Sequence, residues 1–64
     1  MDIPDDLLEL ERAAWAEIQA GQLTADTAAA VQARITEVAA ETGTDRYTVE
    51  MAVKRAVRHP APES

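Results

Sequence analysis

The feature that most constrains this chain is a break at Gly43-Thr44-Asp45, flanked on both sides by apolar residues at helical spacing. Before it, Ile35, Val38 and Ala39 recur three and four apart. After it, Val49, Ala52, Val53, Ala56 and Val57 repeat the pattern. That periodicity marks one buried face on each of two helices. A half-buried strand needs alternation with a period of two, and no stretch of the chain has it. Two helices joined by so short a break must cross at a steep angle, as in a helix-turn-helix.

The rest of the chain fits around that corner. A first helix is expected from about Pro4 to Ala20. Pro4 suits a first turn, where its missing N–H costs nothing. Asp5 and Asp6 place negative charge at the positive end of the helix dipole. Leu7, Leu8, Leu10, Ala14, Trp15 and Ile18 form its apolar face, with Trp15 read as core. Glu9, Glu11, Arg12 and Glu17 are assigned to the polar remainder. Gly21 ends this helix with a left-handed cap. Thr24 caps a second helix from about 25 to 42, with Leu23 stapling onto Ala28. Ala28, Val31, Ile35, Val38 and Ala39 make its buried face. The short link makes the first two helices an antiparallel hairpin. Gly43 closes the second helix and Asp45 caps a third from about 46 to 58. His59-Pro60 stops it. The fold expected is therefore all-α: a small three-helix bundle forming one domain over 1–59, with a flexible tail at 60–64.

Composition limits how robust such a bundle can be. With 64 residues, the chain buries only about 60% of its unfolded surface. Fourteen residues are alanines, which favour helix and bury little, and there is no phenylalanine. Self-association is a natural remedy for so thin a core. There is no cysteine, so neither a disulfide nor a thiolate zinc site can help. No apolar run approaches the roughly 18 residues of a membrane span. The N-terminal Met1-Asp2-Ile3-Pro4-Asp5-Asp6 is acidic, whereas a secretory signal opens with positive charge. A soluble, cytoplasmic protein without membrane contact is expected.

Charge is uneven. Residues 1–45 hold ten acids and two bases, giving −8; residues 46–64 hold four bases and two acids, giving +2. The total of −6 disfavours strong non-specific binding to nucleic acid, which depends on neutralising phosphates. The basic end keeps a local version of that activity open.

Val38-Ala39, three residues, Gly43, Asp45, Thr48-Val49 and Ala52-Val53 together resemble the helix-turn-helix of lac-repressor-type regulators. The resemblance covers residues 35–57. Asp45 stands where that family has a capping serine, Thr44 where it has an apolar residue and Met51 where it has a polar or basic reader. The resemblance implies that the third helix enters the major groove with its N-terminal side chains on base edges. By position these are Arg46, Tyr47, Glu50 and Met51, with Arg46 a partner for guanine. Lys54, Arg55 and Arg58 are the matching candidates for phosphate contact.

Two function classes follow. The first, and the one the sequence favours, is a small DNA-binding or transcription-accessory protein that reads DNA with helix 46–58. Such a protein is expected to be a homodimer, because one recognition helix gives few contacts. Its candidate interface is Leu7, Leu8 and Trp15 on the first helix. The second class is a protein-interaction module, an acidic helical adaptor that binds a partner protein and no DNA. Tyr47 either stacks on a base or sugar or packs its ring on the second helix with its hydroxyl in water. Enzymatic activity is not expected. The single histidine, His59, lies beside a proline, and with only two glycines there is no phosphate-cradling loop. Glu37 and Glu41 lie one turn apart without a third ligand, so neither a metal nor a cofactor is expected. A chain this small also has little room for a pocket of ordinary size, so no small-molecule substrate is expected.

Overall fold

A computed structural model describes residues 2–58. It is all-α, with α1 at Asp5–Gln19, α2 at Ala25–Thr42 and α3 at Arg46–Arg58 packed pairwise into a small three-helix bundle. The expectations for His59-Pro60 and the tail 60–64 concern residues outside those described. Pro4 stands just before the first helical residue, not within the first turn. Its extended ψ of 144° keeps it out of the helix, while its carbonyl accepts from the Leu7 and Leu8 N–H groups.

Each junction is built by its local sequence. Gly21 adopts φ 72°, and the carbonyls of Ile18 and Glu17 accept from the Gly21 and Gln22 N–H groups at 2.9 and 2.7 Å. That pattern closes the last turn of α1. Thr24 then accepts from the Thr27 N–H at 3.1 Å as the cap of α2. The Glu17 carboxylate bridges the two helices, accepting from the Thr24 N–H at 3.0 Å and the Thr27 hydroxyl at 2.8 Å. Arg34 fixes the other end of the hairpin, donating from Nε to Asp6 at 2.7 Å while also meeting Glu37 and Glu41. At the second corner Gly43 adopts φ 66°, and Thr44 N–H donates to the Ala39 carbonyl at 3.0 Å. Asp45 caps α3 by accepting from the Thr48 N–H at 2.9 Å.

The core is Leu7 and Ala14 from α1, Val31, Ile35, Val38 and Ala39 from α2, and Val49 and Val53 from α3. No aromatic ring belongs to it. Ile3, Leu8 and Leu10 pack against the core, Trp15, Ala52 and Val57 are half-buried, and Ala56, expected in the stripe, is exposed. One carboxylate lies among these apolar groups. Glu11, assigned from the sequence to the polar side of α1, is only 1% exposed. Its position explains this: it follows Leu7 by four and precedes Ala14 and Trp15 by three and four, so it lies in the middle of the buried stripe.

Candidate interaction face on the third helix

The seven residues singled out on α3 fall into two rows, because side chains four apart share a face. Arg46, Glu50, Lys54 and Arg58 form an inner row beside α1 and α2. Tyr47, Met51 and Arg55 form an outer row.

Every member of the inner row has a partner within the molecule. The Arg46 guanidinium donates to the Gln32 side chain on α2. Lys54 donates to Glu50 at 3.0 Å, one turn apart. Arg58 Nε donates to Glu11 Oε2 at 2.7 Å, and its guanidinium carbon lies 4.9 Å from the centroid of the Trp15 ring. Arg58 thus places a charge-assisted hydrogen bond on the buried acid and a cation over the aromatic face. It joins the last turn of α3 to the middle of α1.

The outer row is different. Tyr47 is 70% exposed and Met51 39%, and they are two of the three large exposed hydrophobics among the described residues. Arg55 is exposed, and among the described residues it forms no ion pair. The Tyr47 ring is therefore largely open to solvent and not packed away on α2, one of the two roles expected for it. Leu7, a candidate partner contact, is 0% exposed in the core of the monomer. Its place in the buried stripe beside Glu11 removes it from the surface. Leu8 and Trp15 keep partial exposure.

Two surface depressions flank the inner row. One, of about 110 Å³, has an apolar floor that includes Ile18, Leu23, Val31 and Ile35, with Glu50 and Lys54 on its rim. The other, of about 340 Å³, is lined by Met51, Lys54, Arg55 and Arg58. The first is smaller than an ordinary ligand site, and the second is walled by one helix alone. Among the described residues no group of three potential ligands could hold a metal ion. No described helix is long and apolar enough to cross a membrane.

Electrostatic tuning is concentrated at the helix ends and not on this face. The Arg34 hydrogen bond holds the Asp6 carboxyl below its ordinary value. The Thr24 N–H and then the Thr27 hydroxyl do the same for Glu17. Thr48, through its hydroxyl and then its N–H, lowers Asp45.

Sequence reasoning placed the cations of α3 correctly on one helix but missed Glu11 as the anchor of Arg58. Its step of four from Leu7 was the available signal.

The architecture defines a small all-α three-helix bundle. No protein-family model, curated protein or solved structure matches this chain. The helix-turn-helix resemblance therefore rests on residues 35–57 themselves.

Proposed function

We propose that this chain is a non-enzymatic, cytoplasmic protein-interaction module whose docking surface is the outer row of α3. One observation carries the reading. Among the described residues, Arg46, Lys54 and Arg58 have side-chain hydrogen-bond partners, while Tyr47, Met51 and Arg55 do not. Binding to DNA draws on cations that neutralise phosphates, and most of those on α3 are engaged. Tyrosine, methionine and arginine are the residue types enriched where proteins meet.

The DNA-binding reading is kept second, on the strength of the corner. A left-handed Gly43 and an Asp45 cap at the junction of α2 and α3 support it. Fluorescence anisotropy with a labelled random duplex separates the two. The interaction reading expects no saturable binding at about 50 mM or about 200 mM salt. Binding that weakens steeply with salt and is lost on Arg46→Ala plus Arg55→Ala would replace it with the DNA reading.

A further inference from the structure

Resting on that reading, we propose that the protein docked on this face is a second copy of the chain, packed α3 against α3, antiparallel, about a two-fold axis through Met51. The outer row is complementary to itself in that arrangement and in no parallel one. It begins with an aromatic ring at Tyr47, has a thioether at Met51 and ends with a cation at Arg55, at even steps of four. Turning a second copy end for end about Met51 lays Tyr47 against the partner subunit's Arg55. The same operation lays Arg55 against the partner subunit's Tyr47. Both ends then pair a guanidinium with the electron-rich face of a ring. Met51 meets the partner subunit's Met51 at the centre, where a flexible side chain fills an irregular gap.

The charges agree. In a parallel pair Arg55 would oppose the partner subunit's Arg55. In the antiparallel pair those two cations are about 12 Å apart along the helix axis, beyond the screening length of about 8 Å at physiological salt. Of the flanking cations, Lys54 and Arg58 are compensated by Glu50 and Glu11, while Arg46 donates to the neutral Gln32 and keeps its charge beside the contact. The contact is isologous, so it closes at two subunits and does not propagate. The need for it is visible in the core, whose eight buried hydrophobics include no aromatic ring. A single pair of 13-residue helices covers less than the roughly 800 Å² per partner of a standard interface, so the dimer is weak and dissociates on dilution.

The chain has no cysteine, which makes the register directly testable. Met51→Cys should form a disulfide-linked dimer on mild oxidation, since residues on the axis face each other at bonding distance. Tyr47→Cys and Arg55→Cys should each stay uncrosslinked alone and crosslink to one another when mixed. Sedimentation equilibrium of the unaltered chain from about 1 µM to about 1 mM should show a monomer–dimer equilibrium. Met51→Glu, which sets two carboxylates on the axis, should weaken it at least tenfold. Self-crosslinking of Tyr47→Cys, or a dimer indifferent to Met51→Glu, would overturn the proposal. A chain that stays monomeric throughout the range and binds no DNA would overturn self-association while leaving a different protein partner for the same face. Salt-sensitive DNA binding lost with Arg55→Ala would overturn both.

Discussion

The inner and outer rows of α3 run side by side, one residue apart in sequence, yet among the described residues only the inner row bonds to the other helices, through Arg46 to α2 and Arg58 to α1. Arg55 and Arg58 make the contrast sharpest. They share a residue type and a helix, three positions apart. Arg58 reaches a carboxylate that the core has enclosed, so it belongs to the fold. Arg55 is exposed and forms no ion pair among the described residues. Position against a neighbouring helix, more than residue type, decides whether a cation on this surface stabilises the monomer or serves recognition.

The largest effect that sharpens this contrast is expected at Leu7. Leu7→Ala removes one of the larger buried side chains and should cost about 2–5 kcal/mol. For a bundle this small that loss approaches its whole stability, and the circular dichroism of the variant at 25 °C should show loss of helix. A surface role for Leu7 would predict near-normal unfolding.

The corner comes next. At Gly43 an added Cβ meets no atom within 4 Å, so only the left-handed backbone opposes it. Gly43→Ala should cost about 1–2 kcal/mol in urea unfolding. Gly43→Asn should cost less, because asparagine tolerates that conformation. Equal costs for the two would mean that backbone angle is not what the corner requires.

Acid should loosen the helix ends without acting on the outer row. The folded-state pKa values of Asp6, Glu17 and Asp45 lie below their ordinary values of 3.8, 4.5 and 3.8. The unfolded chain therefore takes up protons first. The stability these groups add is fully present above those ordinary values and is lost as pH falls through the lower folded-state ones. The melting temperature should hold between pH 7 and pH 6 and fall by pH 3. Glu17→Gln should flatten part of that fall, and a melting profile indifferent to Glu17 would remove it as a clamp.

The smallest effects are expected on the outer row itself. Tyr47→Ala and Met51→Ala should change monomer stability by no more than about 0.5 kcal/mol. In the inner row, Lys54→Ala breaks a pair within α3 and no bond to another helix, and should cost only about 0.3–0.5 kcal/mol. Costs above about 1 kcal/mol at Tyr47 in dilute protein would place it in the fold after all.

The helices and their corners were legible in the sequence because they depend on neighbours in the chain. Thr24, Gly21, Gly43 and Asp45 act within seven residues of themselves, and local rules suffice. The burial of Glu11 was half legible, since its step from Leu7 was plain but its charge argued for the surface. Its pairing with Arg58, 47 residues away, could not be read, because only the packing of α1 on α3 brings them together. The division of α3 into rows follows from spacing alone. Which row faces solvent required the position of α1.

The most direct test compares the two arginines in one experiment. Urea unfolding of Arg58→Ala and Arg55→Ala should be measured at a concentration low enough to keep the chain monomeric. Losing Arg58 strands a buried carboxylate and should cost about 3 kcal/mol, while losing Arg55 should cost no more than about 0.5 kcal/mol. Equal costs for the two would contradict the separation of α3 into a row that holds the fold and a row left for a partner.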